Sequence, residues 1–245
     1  RVAAVGDTLN GRYPVHDIIA SGGQGIVLSA TDTLTNTPVA IKQLLTDPAK
    51  PNHASELGRF TRAASIRIGH PAVLDPLDSF TDNGWFTVFP LLSGGDLESK
   101  LKAKSMPMCA NDSTKLIRQV AGGLRSAHDQ GFIHRDIKPA NIFLTDDGKP
   151  MILDFGIARN IREQTLTPSS CVIGSPPYMA PEQFSRADVD ARADLYGLGV
   201  VMYMLLTGTH PRPGSTDEEI TRNAQSLIPT PPKQLNPAIL DGIAG

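Results

Sequence analysis

Apolar and polar residues alternate in the first third of the chain, and helical spacing dominates the rest. β-Branched and apolar residues broken by turns predict strands at Tyr13–Ala20, Ile26–Ala30 and Val39–Lys42. The polar stretch Asp32–Thr37 between the last two strands predicts a hairpin turn. A helix is predicted near Ala54–Ile68, and we expect the His-Pro pair that follows to end it, because a residue before proline disfavours the helical region.

Two longer helices are predicted in the second half. In the first, apolar residues recur at helical spacing from Leu116 to Leu124. Asn111 or Asp112 is expected to cap this helix, and Gly131 is expected to end it.

The other helix is predicted over Asp190–Thr207 and should stop at Gly208. Pro229–Pro237 contains four prolines and predicts a surface loop. Leu92–Gly95 lies between the two halves and predicts a hinge.

Composition and charge exclude several classes of protein. Of the 245 residues, 40% are apolar and 20% are charged, which supports a folded core as one bilobal unit or two small domains. The formal net charge of −2 argues against a nucleic-acid binder driven by bulk positive charge. Cys109 and Cys171 form no Cys-x-x-Cys pair, so neither a disulfide framework nor structural zinc is expected, and a reducing compartment fits.

No secretory or membrane-spanning segment is predicted within the sequence. The longest apolar run, Leu195–Leu206, is too short to cross a bilayer and is interpreted as a buried core helix. Because the chain begins with Arg1 rather than Met, we expect it to be a fragment of a longer protein, which could include a membrane anchor. We predict a cytoplasmic location.

A glycine cluster and a strand lysine together suggest phosphate binding. Gly22, Gly23 and Gly25 lack Cβ atoms, so their backbone N–H groups can approach a phosphate closely. Val27 follows them and could pack on a ring above the phosphates. Alone, such a cluster is more often a plain hairpin turn, and Lys42 at the end of a strand more often reaches solvent. Their order along the chain is typical of a phosphate cradle with a fixed cation.

The segment His134–Asn141 carries the strongest chemical signal. Within six residues it holds a carboxylate, an ammonium group and a carboxamide, on Asp136, Lys138 and Asn141. These could accept a hydroxyl proton, neutralise a transferring phosphoryl group and bind a metal ion, respectively. Asp154, in an Asp-Phe-Gly sequence, supplies a second carboxylate, and Mg²⁺ prefers such oxygen ligands together with phosphates. Each residue alone is usually a polar loop residue, but the ordered set is specific.

These motifs resemble those of the eukaryotic-like Ser/Thr protein kinases, most closely the bacterial branch. The resemblance covers about residues 10–240 and includes the glycine loop, Lys42, His134–Asp136, Asp154–Gly156 and Ala180–Glu182. It implies an α+β fold with two lobes: a small antiparallel β N-lobe with one main helix, and a larger, mostly helical C-lobe.

The resemblance also predicts the organisation of the chain. We expect one kinase domain, with a leader at 1–9, the N-lobe at 10–91, and the hinge and C-lobe at 92–245. The family normally continues with further helices, so we expect the C-lobe to be truncated.

Roles for individual residues follow from the resemblance. Lys42 would hold the α- and β-phosphates of ATP, and Asp136 would orient and deprotonate the acceptor hydroxyl of a protein substrate. Asn141 and Asp154 would hold Mg²⁺, for which Mn²⁺ is an alternative. Lys138 resembles the lysine that marks Ser/Thr specificity. The other nucleotide-binding positions that it implies are Gly22, Gly23, Gly25, Val27, Ala40, Phe89, Pro90, Leu92, Asp96 and Phe143.

Control by phosphorylation is implied as well. Arg135 directly precedes Asp136. Kinases with an arginine before the catalytic aspartate are usually activated by phosphorylation of the activation loop. Arg159 resembles a second ligand of that phosphate. Thr167 and Ser169 resemble the bacterial autophosphorylation pair, and a homodimer could phosphorylate itself in trans.

Three further residues receive structural roles from the resemblance. Asp194 would tie its helix to the backbone of the catalytic loop, since a buried carboxylate must be paired. The ring of His134 would pack under the Asp-Phe-Gly turn. Ser175 stands where the family usually has threonine, and its hydroxyl would hydrogen-bond near Asp136 and Lys138.

One departure from the family concerns the N-lobe helix, where active kinases place a glutamate that pairs with the strand lysine. The aligned position holds Thr61 or, on a second alignment, Ala63, and neither is acidic. Glu56 precedes Ala63 by seven residues and shares its helical face. We hypothesise that Glu56 acts as the substitute through a shifted helix. The alternative is that the ion pair is absent.

Two functional interpretations therefore stand. The first is an active Ser/Thr protein kinase that uses Mg-ATP and activates itself by loop phosphorylation, as the retained Lys42, Asp136 and Asp154 indicate. The alternative is a pseudokinase or weakly active ATP-binding signalling module, favoured by the missing helix glutamate and the early C-terminus. A small-molecule kinase is disfavoured by Ala180–Glu182 and the substrate-loop pattern before it.

Overall fold

The fold is that of a computed structural model of the chain, which separates into two units. The first unit comprises residues 1–69 and 74–93, and the second comprises residues 70–73 and those from Gly94 onward. The residues that the structure describes are 1–22, 25–47, 49, 53–103, 108–155, 159–160, 175–184, 189–212 and 214–239.

Strands dominate the described part of the first unit. They form one antiparallel sheet in which the last two strands exchange their order, so that the fourth strand pairs with the sixth and the sixth with the fifth. The elements are β1 (Thr8–Leu9), β2 (Tyr13–Gly22), β3 (Gly25–Asp32), β4 (Thr37–Leu44), α1 (His53–Ser65), β5 (Asp78–Thr81) and β6 (Trp85–Pro90).

Alternation along the strands builds the core of this unit. Leu28, Val39 and Ile41 alternate with less buried residues, and their buried side chains belong to one hydrophobic cluster on one face of the sheet. The ring of Phe86, a member of this cluster, stacks against the ring of Phe80, with centroids 5.0 Å apart. The three predicted strands and the hairpin turn are confirmed, and each strand is longer than predicted.

Helix α1 ends at Ser65, so the prediction that it continues to Ile68 is wrong. Ile66 and Ile68 are buried beyond the helix end. The backbone N–H groups of Ile68 and Gly69 donate to the carboxylate of Asp75 at 2.9 and 2.7 Å, and Gly69 has a φ of 69°. The chain therefore leaves the helix because a downstream carboxylate binds its backbone, before the His-Pro pair is reached.

Helices predominate in the described part of the second unit, with α3 and α5 packed against each other. The elements are α2 (Leu97–Lys102), α3 (Ala110–Asp129), β7 (Phe132–Ile133), β8 (Ile142–Leu144), β9 (Pro150–Ile152), β10 (Arg159–Asn160), α4 (Pro181–Phe184), α5 (Arg192–Thr207), α6 (Asp217–Ser226) and α7 (Pro232–Leu235). Two-stranded pairs join β7 to β10 and β8 to β9.

Cys109 caps helix α3, so the prediction of Asn111 or Asp112 as the cap is wrong. Its Sγ accepts a hydrogen bond from the backbone N–H of Asp112 at 3.5 Å and donates to the carboxylate of the same residue at 3.1 Å. The capping position was missed because sulfur is a weak hydrogen-bond acceptor. The predicted end is confirmed, since Gly131 has a φ of 83° just beyond the helix.

Helix α5 is the predicted core helix, and Gly208 ends it with a left-handed φ of 73°. It begins at Arg192 rather than Asp190, because the Asp190 carboxylate accepts from the backbone N–H of Arg192 and so precedes the helix. The predicted loop Pro229–Pro237 is wrong in part, since it contains the short helix α7, which opens on a proline whose φ suits a first turn. Among the described residues, no helix has the length and apolar character needed to cross a membrane.

Candidate active site

Strand register places the nucleotide candidates of the first unit on one face of the sheet. Lys42 on β4 lies opposite Val27 on β3, and Ala40 on β4 lies opposite Phe89 on β6. Residues directly opposite each other, and those two apart on a strand, share a face. Val27, Ala40, Lys42 and Phe89 therefore all face away from the buried cluster that contains Ile41. The sequence alone could not show this, because it does not give the register.

The glycine turn closes the hairpin of β2 and β3, where Gly22 pairs with Gly25. A Cβ on Gly25 would lie 2.3 Å from the carbonyl oxygen of Gln43, so the close approach of β4 requires glycine here. A Cβ on Gly22 would meet nothing within 4 Å. Gly23 lies outside the described residues.

Glu56 lies in the first turn of α1 and is held by the segment that follows β4. The hydroxyl of Thr46 donates to its carboxylate at 2.7 Å. Nδ1 of His53 lies 3.1 Å from the same hydroxyl oxygen, and because the hydroxyl proton is used on Glu56, we assign the donor role to the imidazole. Thr61 is exposed, and its hydroxyl bonds back to the carbonyl of Leu57 in its own helix.

Two groups of hinge candidates fall in different units. Pro90 ends β6 opposite Val39, and Leu92 follows it in the first unit. In the second unit Asp96 caps α2 by accepting from the backbone N–H and the hydroxyl of Ser99, at 2.8 and 2.7 Å. Burial pushes the pKa of Asp96 upward, but these hydrogen bonds outweigh it and leave the pKa below its ordinary value. Asp96 also bridges to Phe143 on β8.

Asp136 is the centre of a hydrogen-bonded group in the loop between β7 and β8. Its carboxylate is 9% exposed and accepts from the backbone N–H of Ser175 at 2.9 Å. Nζ of Lys138 lies 2.8 Å from the other carboxylate oxygen, to which Nδ2 of Asn141 also donates at 3.0 Å. Lys138 donates in addition to the hydroxyl of Ser175 at 2.6 Å, which confirms the expected contact of Ser175.

Asn141 and Asp154 form the candidate metal-binding pair. Nδ2 of Asn141 also donates to the carbonyl oxygen of Asp136 at 2.8 Å, so the amide oxygen is the atom that Asn141 offers to a ligand. The backbone N–H of Leu153 donates to the carbonyl of Asn141 at 2.9 Å, which connects the two candidates through the chain. Asp154 follows with a φ of 62°. A carboxamide oxygen and a carboxylate are ligands that fit Mg²⁺ with phosphate oxygens completing its coordination.

A buried carboxylate on α5 holds the backbone of this loop. Asp194 is 1% exposed and accepts from the backbone N–H groups of His134 and Arg135 at 2.9 and 2.7 Å. It also accepts from Nε2 of His128 on α3 at 2.7 Å. The expectation that Asp194 ties its helix to the loop is confirmed. Arg135 has a φ of 68°, a strained backbone that these hydrogen bonds help to maintain.

The ring of His134 links the loop to the Asp-Phe-Gly segment. Nε2 donates to the carbonyl oxygen of Leu153 at 2.7 Å, while Nδ1 accepts from the backbone N–H of Asp136 at 3.3 Å. The ring of Phe155 packs edge-on against it, with centroids 4.8 Å apart. The expected structural role of His134 is therefore confirmed.

Two supporting residues were missed by the sequence analysis. His128 gave no signal beyond its position on an amphipathic helix, yet it contacts Asp194. Gly197 on α5 lies so close to the loop that a Cβ would be 2.8 Å from the carbonyl oxygen of Ile137. A glycine within an apolar run could not be distinguished from Gly199, whose Cβ would meet nothing within 4 Å.

Only some of the predicted regulatory residues are among those that the structure describes. Arg135 donates through Nη2 to the carbonyl oxygen of Val189 at 3.2 Å. The backbone of Arg159 pairs with Ile133 in the β10–β7 pair, but its side chain lies outside the described part. Thr167 and Ser169 also lie outside the described residues.

A family model for the protein kinase domain matches residues 13–238. The chain therefore belongs to the protein kinase domain family, and its α+β architecture, with a β-sheet unit followed by a helical unit, is that of a bilobal kinase fold.

Relatives named as bacterial Ser/Thr kinases cover most of the chain. A probable serine/threonine-protein kinase PknB of Corynebacterium glutamicum is 36% identical over 90% of the chain and 35% of its own length. Serine/threonine-protein kinase PknL of Mycobacterium tuberculosis is 34% identical over 96% of the chain and 58% of its own length. The DNA damage-responsive serine/threonine-protein kinase RqkA of Deinococcus radiodurans is 35% identical over 98% of the chain and 36% of its own length. The chain thus spans about a third to somewhat over half of these relatives.

Proposed function

We propose that this chain is a protein-serine/threonine kinase, which transfers the γ-phosphoryl group of ATP to hydroxyl groups of protein substrates. The observation that carries the proposal is the group around Asp136, in which Lys138, Asn141 and Ser175 all bind one carboxylate or each other. The names of the relatives support the same activity.

The chemistry of that group suits transfer to a hydroxyl. The Asp136 carboxylate is fixed by its neighbours, so it can orient an acceptor hydroxyl and take its proton as the oxygen attacks phosphorus. The ammonium group of Lys138, which already bridges Asp136 and Ser175, neutralises charge on the transferring phosphoryl group. Catalysis then rests on positioning and charge, because phosphoryl transfer asks little covalent chemistry of the protein.

We assign nucleotide-binding residues in each unit. Lys42 binds the α- and β-phosphates, while the glycine turn of Gly22, Gly23 and Gly25 contacts phosphate oxygens through its backbone. Asn141 and Asp154 hold Mg²⁺ or Mn²⁺, and the bound ion supplies charge neutralisation at the phosphates. The adenosine contacts that we assign are Val27, Ala40, Phe89, Pro90, Leu92, Asp96 and Phe143.

Activation by phosphorylation is part of the proposal. A phosphate on Thr167 or Ser169 would pair with the guanidinium groups of Arg135 and Arg159, and a transient homodimer would allow transfer in trans. We also assign a cytoplasmic location, where ATP is available and the two cysteines stay reduced.

The experiment is phosphate transfer from radiolabelled Mg-ATP to dephosphorylated casein, beside Asp136→Asn as the inactive control. We expect phosphoserine and phosphothreonine with the parent chain and none above background with the variant. A parent chain that binds ATP and leaves casein unlabelled would contradict the proposal.

A further inference from the structure

A short helical turn, Pro176–Tyr178, lies directly after the residue that binds the catalytic carboxylate. Ser175 contacts Asp136 through its backbone N–H and Lys138 through its hydroxyl. An acceptor hydroxyl must come within hydrogen-bond distance of Asp136, so the polypeptide that carries it has to pass beside this turn. The position of the turn thus bears on how a protein substrate binds.

His210, in the loop after α5, holds this turn from the other side. Its Nε2 lies 2.8 Å from the carbonyl oxygen of Pro177 and donates to it. Its ring meets the ring of Tyr178 edge-on, with centroids 5.7 Å apart at an angle of 77°. Its Nδ1 accepts from the backbone N–H of Arg212 at 3.1 Å. These contacts require the neutral imidazole, with its proton on Nε2.

Arg212 fixes the loop that carries His210. Its Nη1 donates to the hydroxyl oxygen of Tyr196 on α5, and its guanidinium lies over the same ring, 5.3 Å from the centroid. Its Nε donates at 3.0 Å to the carbonyl oxygen of Leu227, the residue directly after α6. A cation at the end of a helix is electrostatically favourable. Arg212 therefore connects α5 to the end of α6 and fixes the position of the loop that carries His210.

We propose that His210 is a positioning residue for the protein substrate: it holds the turn Pro176–Tyr178 beside Asp136, and its protonation releases the turn and weakens substrate binding. The proposal deepens the proposed kinase function and rests on it. A proton on Nδ1 would set two donors, Nδ1–H and the backbone N–H of Arg212, against each other. Protonation leaves Nε2–H as a donor to Pro177 but breaks the contact by which the backbone of Arg212 holds the imidazole. The turn is therefore held to the loop after α5 in this way only while His210 is neutral.

The charges around His210 set the pH at which this occurs. Burial lowers the pKa of His210 below its ordinary value, the hydrogen bond to the carbonyl oxygen of Pro177 opposes this in part, and the charge of Arg212 lowers it further. From the facing turn, burial and the charge of Glu98 on α2 raise the pKa of Tyr178 to about 12, so Tyr178 stays neutral. The contact is thus present at neutral pH and is lost as the pH falls through a pKa that lies below the ordinary histidine value.

The experiment measures KM for dephosphorylated casein and for ATP separately, from about pH 7.5 down to about pH 5.5. In the parent chain we expect KM for casein to rise about 3- to 10-fold as the pH falls, the effect of one lost hydrogen bond, while KM for ATP stays constant. His210→Gln keeps an N–H donor for Pro177 and does not titrate, so its KM for casein should change little with pH. His16→Gln, at an exposed histidine of the first unit, is the matched control and should behave as the parent chain.

His210→Ala separates positioning from folding. It should raise KM for casein at every pH and leave KM for ATP and the melting temperature near those of the parent chain. A casein KM independent of pH in the parent chain, or an equal pH response in His210→Gln, would overturn the proposal. If the parent chain transfers no phosphate at any pH, the kinase function itself fails. In that case, titration of the His210 imidazole by NMR tests the contact of neutral His210 with the turn independently of activity. A pKa of His210 above the ordinary histidine value would contradict this contact.

Discussion

The two units position their reactive side chains by different means. Lys42 stands on a central strand, and backbone pairing with β3 and β6 determines which face it occupies. Asp136 stands in an irregular loop, where individual side chains hold it from several sides and buried Asp194 holds the backbone before it. The strands of the sheet are paired through backbone hydrogen bonds, so their pairing tolerates a change in the side chain of Lys42. The loop depends on single polar atoms, so each of them should be costly to remove.

The largest effect should come from Asp194→Ala. The change leaves the backbone N–H groups of His134 and Arg135 and the imidazole of His128 without their acceptor in a buried site. We expect the free energy of unfolding to fall by about 3–5 kcal/mol, measured by urea denaturation. Asp129→Ala removes a carboxylate at the surface, 3.9 Å from Arg125, and should change it by less than about 0.5 kcal/mol. Equal denaturation midpoints for both variants would contradict the anchoring role.

Lys42→Met and Lys138→Met compare one lysine of each unit, and they should differ in stability but not in their effect on activity. Both variants lose a cation that we assign to the phosphates, and each should lower kcat/KM for phosphate transfer by about 100-fold or more. Lys138→Met also removes the partner of Asp136 and Ser175, so we expect it to lose about 1–3 kcal/mol of stability. Backbone pairing with β3 and β6 holds the strand that carries Lys42, so we expect Lys42→Met to lose less stability than Lys138→Met. The comparison fails if calorimetry shows the larger loss for Lys42→Met.

Gly197→Ala and Gly199→Ala are a matched pair on one helix. A Cβ on Gly197 would press on the carbonyl oxygen of Ile137 in the catalytic loop, whereas a Cβ on Gly199 meets open space. The first change should destabilise by about 1–3 kcal/mol and lower kcat. The second should stabilise by about 0.5–1 kcal/mol, because alanine favours the helix, and leave kcat unchanged. Thermal melts and initial rates distinguish these outcomes, and equal responses would show that helix α5 does not press on the loop.

The smallest effect should come from Glu56→Gln. If Glu56 supports Lys42 through the helix that Thr46 holds, the neutral variant should raise KM for ATP by about tenfold or less. Glu218→Gln, at an exposed acid of the second unit, is the control. An unchanged ATP affinity and rate in Glu56→Gln would show that Glu56 does not replace the missing helix glutamate.

The strands of the sheet were predicted better than the ends of the helices and the residues that hold the loop around Asp136. Alternation at Val39 and Ile41 is a local property, so each strand and its buried side follow from it directly, whereas the register between strands does not. The end of α1 could not be predicted in the same way, because it depends on Asp75, a residue outside the helix. The cap at Cys109 was missed because a thiol is an uncommon capping group.

Motifs indicated the candidate reactive residues, whereas the residues that support them depend on contacts distant in sequence. Asp136 and Lys138 stand two residues apart, so their proximity was visible in the chain, while their ion pair is shown by the structure. His210 lies 33 residues from Pro177, the residue it binds, and no pattern connects them. Gly197 and Gly199 differ only in what lies opposite them, which depends on how α5 packs against the loop.

Intact-mass spectrometry after incubation with Mg-ATP, run beside Asp136→Asn, tests the kinase activity most directly. We predict that the parent chain gains phosphate and the variant gains none, and that the phosphate maps to Thr167 or Ser169. A parent chain that binds ATP but gains no phosphate, or an Asp136→Asn chain that gains as much as the parent, would contradict the role of Asp136 and with it the kinase function.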